Sequence, residues 1–278
     1  MRFRKVYIEI SNICNLHCSF CPGTKRKSRV MSPQEFSMIL PKLRGVTDFL
    51  YFHLMGDPLC HPMLKELLSL AGNAGFKVIL TTNGTLLPTL QAMLLTSSAL
   101  HKINISLHAF EANDLRVSFD EYLRGCLEFS KAAEGCKLVT LRLWNQGGAD
   151  SLNDRILQAL HAYFPGEWIT EPRGIRIGNR VYLEYGDKFD WPDLSCPDGG
   201  DRVFCYGLRD QLGILCDGTV VPCCLDHEGD IPLGNLFSGD LEQILASPRA
   251  TAIYNGFSGG RASEELCRKC GYARRFQK

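Results

Sequence analysis

Thirteen cysteines are spread over 278 residues, and two groups of them have the spacing of metal ligands. Cys14, Cys18 and Cys21 form a C-x3-C-x2-C pattern directly after an alternating, branched segment at 5–10 that reads as a strand. Three thiolates on one short loop can wrap a single small metal centre. A 4Fe–4S cluster ordinarily takes four cysteines. Three leave one iron with an open position, where a substrate or cofactor can coordinate. The alternative is a zinc loop that borrows His17 or a remote cysteine. Cys205, Cys223, Cys267 and Cys270 make the second group. Cys205 precedes, and Cys223 ends, a stretch at 211–223 that reads as a hairpin turning at Asp217-Gly218. Cys267-Arg268-Lys269-Cys270 is a C-x2-C turn. Four thiolates can close a complete site, and their spacing serves a zinc ribbon and an iron–sulfur cluster equally well. Cys224 competes with its neighbour Cys223, and Cys196 and Cys216 lie near enough in sequence to be further candidates. Those three, with Cys60, Cys126 and Cys136, take by default the role of small buried hydrophobes.

The context favours metal or redox chemistry over disulfides. The cysteine count is odd, residues 1–10 carry no hydrophobic signal core, and no apolar run reaches the ~18 residues of a membrane span. A cytoplasmic location follows as the expectation, and disulfides are rare there. A net charge of +1 gives no electrostatic footprint for nucleic acid or an anionic membrane, so neither is expected as a partner. With 45% apolar and 22% charged residues, the chain can bury an ordinary core.

Strand and helix patterns alternate from the start. Strands are expected at 5–10, 48–54, 77–82, 102–107 and 138–144, with a sixth somewhere in 168–184. Helices are expected from the Ser32-Pro33-Gln34-Glu35 capping box onward, then at 62–75, 86–97, 118–134 and 152–164. This rhythm signals parallel βαβ units. The fold class is therefore α/β, a partial (β/α)6 TIM-like barrel over residues 1–185, with a small Cys-rich extension over 186–278 that contains the hairpin and a short helix at 241–247. Period two divides the strands into an apolar face for the helices and a polar face for the interior. Glu9, His53, Asn83, Ser106, His108 and Arg142 would then converge near the C-terminal ends of the strands, where α/β sites form.

The motif C-x3-C-x-aromatic-C after the first strand, with Phe20 as the aromatic, resembles the radical S-adenosylmethionine (SAM) superfamily. The resemblance implies that SAM chelates the fourth iron and is cleaved by the reduced cluster to a 5′-deoxyadenosyl radical, which abstracts a substrate hydrogen. It implies an electron donor of the flavodoxin or ferredoxin type. Met55-Gly56-Asp57-Pro58 resembles the family's Gly-Gly-Glu-Pro turn, whose backbone receives the SAM amino group, although Met55 and Asp57 depart from it. Ser106 resembles the family's polar contact to SAM, Asn83 joins the cofactor candidates, and Arg142 suits the SAM carboxylate because a guanidinium binds it bidentately. Cys205, the Asp-Gly-Thr-Val-Val-Pro-Cys-Cys stretch at 217–224, Leu233-Gly234-Asn235-Leu236 and the final C-x2-C resemble the SPASM/twitch extension. That resemblance decides for an auxiliary 4Fe–4S cluster, and for the shorter twitch form, because no cysteine follows Cys270. Glu9, His53, His108 and Asp226 are the candidates for catalytic roles. A small-molecule substrate is expected. Peptide maturation and a queuine-lyase-like base salvage are the alternatives within the family, and a non-catalytic metal-binding protein is the alternative outside it.

Overall fold

The βα rhythm builds one continuous sheet. The structure, a computed structural model, describes residues 2–276. In chain order the strands of the first part are β1 (Lys5–Ile8), β2 (Phe49–Phe52), β3 (Lys77–Thr82), β4 (Leu100–Ser106) and β5 (Leu138–Gln146). Each pairs in parallel with the next. Helices α1 (Pro33–Leu43), α2 (Leu64–Asn73), α3 (Leu87–Thr96), α4 (Phe119–Ala132) and α5 (Asn153–Tyr163) make the crossovers. The start of α1 is set locally: Ser32 Oγ accepts from the Glu35 amide at 3.2 Å, Glu35 reaches back to the Ser32 amide at 2.8 Å, and Pro33 occupies the first turn.

The sixth unit differs from its expected form. After α5 the chain makes an antiparallel meander of β6 (Ile169–Glu171), β7 (Gly174–Gly178) and β8 (Val181–Asp187). Only β8 joins β5, in parallel, as the sixth barrel strand. Pro172 and Arg173 turn the extra hairpin. Gly174 has φ +118, and a Cβ there would stand 2.6 Å from the Leu183 carbonyl oxygen.

The second part continues the same sheet. β9 (Gln211–Ile214) runs parallel beside β1, and β10 (Thr219–Val221) and β11 (Gly234–Asn235) follow antiparallel. The strand order is β11-β10-β9-β1-β2-β3-β4-β5-β8-β7-β6. Six parallel strands stand in chain order with helices outside. The barrel is open: its edges β11 and β6 are the two ends of the sheet. Helices α6 (Leu241–Leu245), α7 (Pro248–Ser258), α8 (Glu265–Arg268) and α9 (Gly271–Arg274) complete the extension. Sequence reading found α6 but not α7, whose start is marked by Ser247 capping the Ala250 amide ahead of Pro248.

The two faces of the sheet bury different things. Val6, Ile8, Leu50, Phe52, Val78, Leu80, Ile103, Ile105, Val139 and Leu141 join the helices in one large apolar core. Tyr7, Leu54, Leu215 and Val221 form a separate small cluster with Tyr51 and Cys224. The alternation expected from the strands is thus present: apolar residues toward helices, and mixed aromatic and polar residues toward the interior.

Candidate functional site

The loop carrying Cys14, Cys18 and Cys21 leaves the C-terminal end of β1. Three contacts shape it. Gly56, in the turn after β2, has φ +75 and lies so close that a Cβ would stand 2.5 Å from the Ser11 carbonyl oxygen and 2.7 Å from that of Ile13. The Asp57 amide donates to the Ile13 carbonyl at 2.9 Å. Asn113, beyond β4, accepts from the His17 amide at 3.0 Å, and its Nδ2 donates to Cys18 Sγ at 3.1 Å. Cys14 Sγ accepts from the Leu16 amide at 3.4 Å and from Asn83 Nδ2 at 3.7 Å. N–H groups aimed at two sulfurs suit thiolates, which accept and do not donate. Burial raises all three thiols, Cys18 to about 11, so a metal rather than bulk water must draw off their protons. Among the described residues, no three His, Cys, Asp or Glu side chains gather as a single ion requires. A cubane makes no such demand, because each cysteine binds a different iron.

The expected interior residues take distinct places. Asn83 lies beside the loop and also donates to Asn15 Oδ1 at 2.9 Å. Phe20 packs on His108 at 4.9 Å between ring centres. His108 lies in a single 3-10 turn past β4, where strand alternation no longer applies, and its Nδ1 is 3.1 Å from the Arg142 carbonyl oxygen. Ser106 ends β4 with its hydroxyl making no hydrogen bond among the described residues. Asp57 is buried. Its carboxylate accepts from the amides of Leu59 at 2.9 Å and Asn83 at 2.8 Å, and from Thr82 Oγ1 at 2.8 Å, which ties the β2 turn to the end of β3. Pro58 starts the short turn that follows. Arg142 bonds Glu184 through Nε at 3.1 Å and lies 4.4 Å from the Trp144 ring centre. Glu9 is fully buried and consumed by Arg26, which meets both carboxylate oxygens at 2.5 and 2.8 Å, and by the Cys216 amide at 3.1 Å.

His53 packs edge-on to Tyr7 at 5.0 Å. Part of its ring is accessible, but Nδ1 is sealed and unpartnered, and burial followed by the charges of Arg142 and Lys5 pushes its pKa down to about 3. Asn104 Oδ1 and Trp144 Nε1 are likewise buried without a partner. Unpaired buried polar atoms cost about 1–3 kcal/mol each.

In the extension, Cys205, Cys223, Cys267 and Cys270 line one cavity with Pro222, Phe257, Leu266 and Tyr272. Burial raises all four thiols, Cys270 to about 11, and their mutual charges add to the effect on Cys223 and Cys267. Cys224 faces the other way, toward Tyr7. Cys196 and Cys216 do not line the cavity, whereas Asp226 does; its carboxylate accepts from the Asp230 and Ile231 amides at 2.8 and 3.0 Å, and burial raises it to about 6. The two centres are joined by the strap after Cys21. The Lys25 amide donates to Glu228, Arg26 Nε to the His227 carbonyl and Arg29 Nε to the Cys216 carbonyl. Sequence reading missed Asn113, Arg26 and Arg29. Their partners are far along the chain, so no local pattern reports them.

Comparison with known proteins places this arrangement. The model of the radical SAM superfamily matches residues 8–142, and that of an iron–sulfur cluster-binding domain, SPASM, matches residues 205–271. The chain belongs to the radical SAM superfamily and carries a SPASM extension. The cofactors of that family are SAM, the 4Fe–4S cluster that binds it and auxiliary iron–sulfur. The AdoMet-dependent heme synthase of Oleidesulfovibrio alaskensis is 27% identical over 139 residues, 47% of this chain and 36% of that protein. The Fe-coproporphyrin III synthase of Methanosarcina barkeri is 28% identical over 200 residues, 68% of this chain and 47% of that protein. The chain thus spans less than half the length of these relatives. Among solved structures, BtrN in complex with AdoMet and 2-DOIA superimposes with a TM-score of 0.62 at 17% identity, over 97% of this chain and 93% of that one. This likeness shows a shared fold. No helix among the described residues is long and apolar enough to cross a membrane.

Proposed function

We propose that Cys14, Cys18 and Cys21 hold the 4Fe–4S cluster at which this enzyme cleaves SAM, and that the substrate is a small molecule held over the interior end of the strands. The observation that carries the reading is the cysteine loop itself. It is fixed at the C-terminal ends of parallel strands, with Asn83, Asn113 and a backbone amide aimed at two of its sulfurs. When bound and reduced, the cluster supplies one electron to the SAM sulfonium, which yields methionine and a 5′-deoxyadenosyl radical able to take a hydrogen atom from substrate. The chain's part is binding, orientation and exclusion of water. The close turn at Gly56 presents backbone to the SAM amino group, and Asp57 and Pro58 hold that turn. Ser106 has a free hydroxyl at the strand end, and the terminal nitrogens of Arg142 can meet a carboxylate while Glu184 holds its Nε. Phe20 and His108 wall the mouth. His53 and His108 remain candidates for proton handling, while Glu9 and Asp226 act through structure, since their carboxylates are spent on Arg26 and on backbone amides.

Cys205, Cys223, Cys267 and Cys270 hold the auxiliary cluster in this reading, within an extension that begins near residue 186. The small-molecule assignment is supported by the polar groups left available at the strand ends, the Ser106 hydroxyl and the terminal nitrogens of Arg142. Anaerobically reconstituted protein should carry about eight irons, the content of two 4Fe–4S clusters, and release 5′-deoxyadenosine from SAM on reduction. Replacing Cys14, Cys18 and Cys21 together by Ala should remove about four irons and all 5′-deoxyadenosine. A triple variant that still makes 5′-deoxyadenosine would sink the assignment. A protein that binds iron but never cleaves SAM would support a non-catalytic metal-binding role instead.

A further inference from the structure

A second cavity, of about 580 Å³, opens at the other end of the strands, and its lining includes Arg4, Phe49, Tyr51, His101, Lys102 and Arg173. Arg4 precedes β1, Phe49 starts β2, His101 and Lys102 are near the start of β4, and Arg173 is the turn between β6 and β7. Lys102 and Ser106 share a strand face four residues apart, roughly 13 Å at ~3.3 Å per residue. The Lys102 wall of the cavity is therefore remote from the cysteine loop, while Glu184, bonded to Arg142, carries the lining toward the middle of the strands. Tyr51 lines it and packs against His53 at 5.9 Å, which begins the layer separating the two ends.

Its charges are unbalanced. Glu184 is the acid in the lining and is already bonded to Arg142. Arg4 reaches Asp210 only at 4.0 Å, with most of its side chain exposed. Lys102 and Arg173 make no hydrogen bond or ion pair among the described residues. Burial and the charge of Arg142 pull Lys102 down to about 8, with Arg173 and Lys5 adding to the effect and Glu184 opposing it. A lysine kept in that state at a cavity wall marks a place for negative charge. The volume falls in the ~300–1,000 Å³ range of small-molecule sites.

We propose that this cavity binds a small organic anion carrying carboxylate or phosphate groups, with Lys102 as its counter-charge in the wall and Arg4 and Arg173 at the rim. Phe49 and Tyr51 offer flat surfaces to its carbon skeleton. The anion is either the far end of the molecule processed at the other end of the strands or a separate ligand.

Calorimetric titration of the reconstituted full chain with citrate and with inorganic pyrophosphate, at low ionic strength, tests the site. At least one probe should bind saturably. Lys102→Met and Arg173→Ala should each weaken it about tenfold or more, and Lys102→Arg should retain it. Affinity should fall as pH rises from 7 to 9. Of the groups facing Lys102, which are Arg4, Lys5, Tyr51, His101, Arg142, Arg173, Glu184 and Tyr185, burial holds His101 below its ordinary value and Tyr51 and Tyr185 above theirs, so Lys102 governs that window. No saturable binding of either probe by about 10 mM, or equal affinity in Lys102→Met, overturns the proposal. Repeating the titration with SAM bound separates the sources, and either result supports the site. Unchanged affinity means a separate ligand, and a large change means the far end of the same guest. The test reads binding alone, so it stands whether or not Cys14, Cys18 and Cys21 prove to support SAM cleavage.

Discussion

Among single residues, the buried polar ones divide into those already satisfied and those left waiting. Glu9 belongs to the first kind. Its carboxylate has Arg26 on both oxygens and the Cys216 amide besides, so its place just past β1 builds the strap rather than the chemistry. No spacing in the sequence could have told it apart from a catalytic acid, because Arg26 lies on an irregular segment. His53 belongs to the second kind, and it has a measurable signature. Its pKa is about 3 in the folded chain and about 6.5 when unfolded. Between those values the unfolded state takes up a proton that the folded state refuses. The stability this group provides is therefore present above about pH 6.5 and is lost as pH falls toward 3, at no more than about 1.4 kcal/mol per pH unit. Urea unfolding at pH 7 and pH 5 should show wild-type protein losing up to about 2 kcal/mol more than His53→Leu over that interval. Equal losses in the two proteins would mean that His53 is not held neutral.

Secondary elements were legible where local rules govern them. The capping box at Ser32 and Glu35, the period-two faces of β3 to β5 and the Asp217-Gly218 hairpin all depend on residues within a few positions of each other, and the structure has them. The meander before β8 and helix α7 were not read. The first fits three short strands where a single one is expected, and the second is a short helix amid glycine-rich chain whose burial rests on Ile253 and Phe257 reaching the common core. The turn after β2 depends on both kinds of rule. Its Gly56 is visible in the sequence, but its pressure on the cysteine loop is not. Gly45 provides the control, since it too has positive φ, at +74, but nothing lies within 4 Å of a Cβ there. Gly45→Ala should cost the left-handed strain alone, about 1–2 kcal/mol. Gly56→Ala should cost more and also lower the iron bound per chain, because the loop must retreat from the new methyl group. Thermal unfolding and iron analysis of the two variants give the comparison. If Gly56→Ala is no worse than Gly45→Ala in either, the close approach does not hold the loop.

Across the whole molecule, the extension is stitched to the barrel by β9 beside β1 and by the strap from Lys25 to Arg29. The four extension cysteines were legible from spacing and family likeness. The choice between Cys223 and Cys224 was not, because both lie in the bend and turn after β10, where no strand period fixes the side each one faces. The structure sends Cys223 to the shared cavity and Cys224 to Tyr7. Replacing both Cys267 and Cys270 by Ala should leave about four of about eight irons, whereas Cys224→Ala should leave all of them. Iron and zinc analysis of the two proteins decides the matter: iron lost with Cys224, or zinc in place of iron at the four-cysteine site, would refute the ligand set.

The pairing of β9 with β1 also orders events during synthesis. The first strand leaves the ribosome some two hundred residues before its neighbour, and the carbonyl and carboxylate that receive Arg26 and Lys25 come later still, at His227 and Glu228. Contacts so distant in sequence form late and slowly. In a nascent chain the strap is therefore untied while the cysteine loop already exists, and the loop is open to a cluster-delivering protein. Once residue 228 has emerged the strap is drawn down, and the loop is tied on its C-terminal side while Cys21 stays exposed. With Cys21 exposed in the finished fold as well, the loop can take its cluster before or after the strap is tied, whereas the four-cysteine site of the extension exists only once Cys270 has emerged.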